Sequence, residues 1–146
     1  MKSWTYNGVE INDISQFPEG AVGFVYKITN VHTGKFYIGK KILRFKRTKA
    51  LTKKELTLIT DKRSSKKKTV ITESDWKTYY GSEEKLKNDI KLYGTDYLSR
   101  VIICICNSTK QMTYQEVKQQ ILHGCLESDN CYNSQILGKF WKKDAI

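Results

Sequence analysis

The 146-residue chain has one proline, two histidines and no run of apolar residues near the ~18 needed to span a bilayer. These shortages exclude collagen-like and proline-rich classes and a membrane-spanning helix. The opening residues MKSWTYNGVEIND have no apolar stretch of secretory type, so a soluble, cytoplasmic protein without membrane contact is expected. Acidic residues are also scarce, 15 against 26 Lys and Arg, for a formal net charge of +11. A polyanionic partner, nucleic acid foremost, fits that surplus. The four cysteines, Cys104, Cys106, Cys125 and Cys131, show no C-x-x-C spacing, and two lie in the apolar run VIICIC. Buried reduced thiols are expected rather than a disulfide framework or a zinc site with His123. Hydrophobic residues make up 39% and aromatics 12%, enough for one packed core.

Local patterns then suggest the elements. Asn7-Gly8 between the β-prone stretches WTY and VEI predicts a tight hairpin, since both turn residues tolerate positive φ. GFVYKITN, a turn at His32–Gly34 and KFYIG predict a second hairpin. From Lys40 to Lys68 thirteen basic residues face only Glu55 and Asp61, a surplus equal to that of the whole chain. Ile42, Phe45 and Lys49 stand at helical spacing with Arg44 and Arg47 three apart, so a short helix with a basic edge is expected there. The remainder of the stretch reads either as a solvated loop or as a loop or ribbon facing DNA. Ser82 is expected to cap a helix through EEKLKNDIKLY that stops at Gly94. YLSRVIICIC, apolar at both parities, fits a central strand covered on both sides. Thr113 and Glu116 have the spacing of a capping box ahead of a helix stopped by Gly124.

The sum is an α+β fold with a small mixed three-stranded central sheet flanked by helices. The whole chain, 1–146, is expected to form one domain with an N-terminal hairpin extension over 1–20 and a basic insertion over 48–75.

The stretch GFVYKITNVHTGKFYIG resembles the signature of the GIY-YIG nuclease family. Tyr26 matches the tyrosine of its first motif, and Tyr37, Ile38 and Gly39 match the second. Later pieces follow in order over about residues 22–135: basic residues, an S-x-x-L helix ending in Gly, an apolar strand, a Glu-bearing helix and a Tyr-Asn. The chain is similar to stand-alone, phage-encoded enzymes of homing type, but it departs at Phe24, where the first motif has glycine.

The resemblance implies a metal-dependent endonuclease that hydrolyses phosphodiester bonds, most naturally in double-stranded DNA. Tyr26 would act as general base or position the attacking water, its phenol acidified by cations such as Lys40 or Lys41 and by the metal. Tyr37 would contact the scissile phosphate. Arg47, with Arg44 as the alternative, would stabilise the transition state. Glu116 would hold one Mg²⁺ or Mn²⁺, unless it serves only the capping box, and Asn133 would brace the site. Lys40, Lys41, Arg44, Lys62, Arg63, Lys66, Lys67 and Lys68 would bind DNA. Tyr79, Tyr80 and Gly81 read as a structural corner or a substrate contact. A double-strand cut would need a homodimer or successive nicks. The competing class is a catalytically silent DNA-binding module of the same fold; a basic RNA-associated protein would leave the ordered motifs unexplained.

Overall fold

A computed structural model describes residues 2–61 and 63–145 of the chain. Two compact units are present, one formed by the residues up to Leu43 together with those from Asp75 on, the other by Arg44–Ser74.

The first unit is built on a mixed five-stranded sheet in the order β2-β1-β7-β3-β4. Strands β1 (Trp4–Tyr6) and β2 (Val9–Ile11) form the expected hairpin, with Asn7 at φ 50° and Gly8 at φ 80°. The three-stranded expectation needs correction here. The hairpin is not an appendage, because Thr5 of β1 lies in parallel register with Val101 of β7 (Leu98–Cys106). Trp4 supplies the reason: only 1% exposed, it packs on Phe24 and Tyr26, and its indole N–H donates to the Trp76 carbonyl at 2.7 Å. A ring of that size has a large apolar area to withdraw from water, and the sheet edge is where the chain can bury it.

Strands β3 (Gly23–Asn30) and β4 (Phe36–Ile42) form the second hairpin, and β3 pairs antiparallel with β7 on its other side. Strand alternation sends Phe24, Tyr26 and Ile28 into one apolar cluster and Val25 into another. Helix α2 (Glu84–Tyr93) adds Leu86 to the first cluster, and α3 (Thr109–Leu122) adds Met112 to the second. Strand β7 is thus covered on both sides, as its double-parity apolar pattern predicts. Part of that pattern has a second cause. Val25 stands opposite Cys104 but Tyr26 opposite Ile102, so Ile103 is an extra residue, a bulge that shifts the phase of β7 beside Tyr26.

Three of the four thiols, Cys106, Cys125 and Cys131, are buried, and all four are free. A small hairpin, β8 (Gln135–Ile136) and β9 (Phe140–Trp141), follows α3. No helix among the described residues is long and apolar enough to cross a membrane.

The second unit is a two-stranded antiparallel ribbon of β5 (Arg44–Ala50) and β6 (Lys67–Glu73), with the short helix α1 (Lys53–Thr57) between them. The basic helix expected around Ile42–Lys49 is therefore a strand. Its partner β6 carries Thr69, Val70, Ile71 and Thr72, a β-branched run that favours extended pairing over a helix of one turn or two. The helix that does form is started by a capping box of Thr52 and Glu55.

Candidate active site

The β3–β4 register places Tyr26 opposite Gly39 and Ile28 opposite Tyr37, so both tyrosines rise from the same face. Their ring centroids are 6.0 Å apart. A Cβ on Gly39 would stand 2.6 Å from the Tyr26 hydroxyl oxygen and 2.8 Å from Tyr37 Cε1. Only glycine lets the β4 backbone lie against both rings. Gly81 (φ +90°) closes the other side, where a Cβ would stand 2.9 Å from Tyr37 Cε1.

The Tyr37 hydroxyl is 3.4 Å from Ser82 Oγ. Ser82 does not cap α2; Glu83 is the capping residue and makes no side-chain bond to the helix. The Tyr26 hydroxyl oxygen is buried with no hydrogen-bond partner. Burial, and then the neighbouring Tyr37, Tyr79 and Glu116, push the Tyr26 phenol well above its usual range. Lys40 and Lys41 are not among the causes of that shift. Burial also raises Tyr37, with Ser82 opposing.

Glu116 stands in the middle of α3. The helix begins earlier than the sequence suggested: Ser108 caps it by accepting from the Gln111 N–H at 3.0 Å, while Gln111 Oε1 accepts the Asn107 N–H at 2.7 Å. The capping box of Thr113 and Glu116 therefore does not form. Thr113 instead donates to the Thr109 carbonyl and accepts from Lys40 Nζ at 2.8 Å. Burial raises the Glu116 carboxyl, while the Lys40 charge and backbone N–H act against it.

Strand β4 is an edge of the sheet, and its outward backbone groups are met by side chains. Asn133 Oδ1 accepts the Ile38 N–H at 2.9 Å, and its Nδ2 donates to the Ile38 carbonyl at 2.8 Å, which also receives Gln120 Nε2 at 3.1 Å. The Cys131 thiol donates to the same Asn133 oxygen. The strand bearing Tyr37 and Gly39 is thereby held from its open side.

Tyr79, read from the sequence as a corner or a substrate contact, stands beside Tyr26, whereas Asp75 and Arg100 of this neighbourhood went unread in the sequence. Tyr79 meets Tyr26 edge to face at 6.2 Å, and Lys41 Nζ lies 3.9 Å from the Tyr79 ring centre while pairing with Asp75 at 2.6 Å. That ion pair holds the Asp75 carboxyl below its ordinary range. Arg100, 2% exposed, donates to the carbonyls of Lys77, Tyr79 and Lys2 and lies between the rings of Trp4 and Tyr80. With three backbone carbonyls on its guanidinium it is an anchor for the 77–80 turn. Its signal was a lone charge at an inward position of an otherwise apolar central strand.

Arg44 and Arg47 belong to the ribbon unit. Residues three apart on a strand point to opposite faces, so the shared face expected of a helix does not exist. Arg47 lies over Phe45 at 6.0 Å. Arg63, Lys66 and Lys67 are exposed, whereas Lys68 pairs with Glu55 at 2.7 Å. Lys62 lies outside the described residues.

The family model described as "Putative endonuclease segE, GIY-YIG domain" matches residues 4–136. The chain belongs to this GIY-YIG nuclease family. No curated protein and no solved structure matches it.

Proposed function

We propose that the protein is a metal-dependent endonuclease that hydrolyses phosphodiester bonds of double-stranded DNA. The observation that carries the proposal is the set formed by Tyr26, Tyr37 and Gly39. Two phenols are held against a glycine backbone, one hydroxyl is buried without a partner, and the Glu116 carboxylate is near enough to act on both by its charge.

Among the described residues no group of three or more His, Cys, Asp or Glu could hold a metal ion by itself. A hydrated Mg²⁺ or Mn²⁺ suits this donor set, because Mg²⁺ keeps several waters and takes one or two carboxylates with substrate phosphate oxygens. Glu116 would hold it, and the ion would supply charge stabilisation at the phosphorus and the leaving oxygen.

In this reading Tyr26, a neutral phenol, hydrogen-bonds and aims the attacking water, and Tyr37 binds a phosphate oxygen. Attack by water forms one P–O bond as another breaks, and the proton that the water sheds passes through solvent to the departing sugar oxygen. Arg47 supplies the cation for the pentacovalent state, with Arg44 as the alternative. Asn133 fixes β4, and Lys40, next in sequence to Gly39, binds DNA. So do the lysines and arginines of the ribbon unit. One such site cuts one strand, so linear product requires two copies or two successive events. Purified protein incubated with supercoiled plasmid should give nicked or linear DNA with Mg²⁺ and none with chelator. Cleavage unaffected by chelator removes the metal from the proposal, and its absence under every divalent cation removes the enzyme.

A further inference from the structure

We infer that the β5–β6 ribbon reads duplex DNA through the major groove, using its open face to contact base edges. This extends the proposed function, since it takes duplex DNA as the substrate and names the surface that selects the site.

The register sorts the ribbon into two faces. Arg44 stands opposite Glu73, Lys46 opposite Ile71, Thr48 opposite Thr69 and Ala50 opposite Lys67, and these side chains share one face. Every one of them is exposed. The opposite face is different in part: Phe45, Lys68 and Val70 are half-buried and Lys68 pairs with Glu55 of α1, while Arg47, Lys49 and Thr72 of that face are exposed. Arg44, Lys46, Thr48, Ala50, Lys67, Thr69 and Ile71 thus form an exposed face.

The open face has the chemistry of a groove reader. Arg44, Lys46 and Lys67 against Glu73 give it positive charge, complementary to phosphates and to guanine acceptors. Thr48, Thr69 and Ala50 are short, so the backbone can come close. Ile71, 56% exposed, offers methyl groups that water does not reward and that a thymine methyl does. A two-stranded ribbon fits a major groove about 12 Å wide. Seven residues at about 3.3 Å each reach roughly six base pairs. A face meant only for phosphates would have no use for an exposed isoleucine between a lysine and two threonines.

The test uses the full chain with chelator, so that binding is read without cleavage. A pool of duplexes with a randomised central segment is bound, and the retained sequences are determined. Wild type should enrich a short motif. Thr48→Val and Ile71→Ala, neither of which alters charge, should each relax the preference at a few positions by on the order of 5- to 150-fold, the range of one base contact. Lys46→Ala should do so at neighbouring positions, while Thr72→Ala on the other face keeps the motif. Replacing the purines of the enriched duplex by 7-deaza analogues removes a major-groove acceptor and leaves phosphates and minor groove intact, so affinity should fall. Melting curves of each variant verify the fold. Absence of an enriched motif, a motif indifferent to Thr48→Val and Ile71→Ala, or unchanged affinity for the deaza duplex overturns the inference. Motif enrichment without plasmid cleavage would count against the nuclease alone, and cleavage without a motif against the groove reading alone.

Discussion

Adding one methyl group at Gly39 should disable the site while leaving the protein folded. In Gly39→Ala the new carbon would sit 2.6 Å from the Tyr26 oxygen, 2.8 Å from Tyr26 Cζ and 2.8 Å from Tyr37 Cε1. Ordinary contact begins near 3.4 Å, so the two rings must each retreat by roughly 0.6–0.8 Å. They have little room. Tyr26 is enclosed by Trp4, Phe24 and Tyr79, and Gly81 stands against Tyr37. Overpacking of this kind costs about 1–3 kcal/mol, equivalent to roughly 3–10 °C in melting temperature at this chain length. Catalysis should suffer more than stability, since a misplacement of about 1 Å in a reacting group can cost on the order of 10² in rate. Single-turnover nicking of supercoiled plasmid at saturating protein, measured beside a thermal melt, tests both. A Gly39→Ala protein that cuts at the wild-type rate would show that the positions of the two phenols do not govern the chemistry.

Tyr26→Phe should lose cleavage and keep or slightly gain stability, because the hydroxyl removed is buried without a partner; activity assay and melt decide it, and a clear loss of stability would reveal a hidden bond. Glu116→Gln should abolish Mg²⁺-dependent cutting. Because burial raises this carboxyl, its contribution to stability is full below the ordinary carboxyl range and lost as pH rises through the raised value. The Gln variant should therefore be the more stable above that range and equal to wild type in acid, which melts across a pH series would show. Arg47→Ala should lower the rate at saturating DNA by about 10² or more, whereas Arg44→Ala should change affinity; the reverse ranking would transfer the catalytic role to Arg44. Asn133→Ala leaves the Ile38 N–H without a partner and should cost about 1–3 kcal/mol, a loss that denaturant melts would register.

The sequence was sufficient for much that depends on near neighbours along the chain, though not for where the helices are capped. The Asn7-Gly8 turn, the hairpin carrying Tyr26 and Tyr37, the doubly covered β7 and the membership of the GIY-YIG family were all legible in spacing and residue type. Asn133 came only from the family resemblance, and its bonds to Ile38, 95 positions away, are visible only in the fold. What could not be read were the outcomes of competition between local and distant partners. Thr113 and Glu116 have capping spacing, but Ser108 and Gln111 lie five residues nearer the strand and cap α3 first. Ile42, Phe45 and Lys49 have helical spacing, but so short a helix is costly to nucleate in water, and β6 offers β5 a complete ladder of backbone bonds. The bulge at Ile103 left no mark in composition, because an extra apolar residue in an apolar strand looks like any other. Arg100 went unread, and its purpose appears only when Trp4 and the turn with Lys77 and Tyr79 are brought to it from two other parts of the chain. Local propensity is a sum of tenths of a kilocalorie that tertiary pairing outweighs, and for that reason the tertiary structure alone decided where the helices start, which face each arginine takes, and what surrounds the unpartnered hydroxyl of Tyr26.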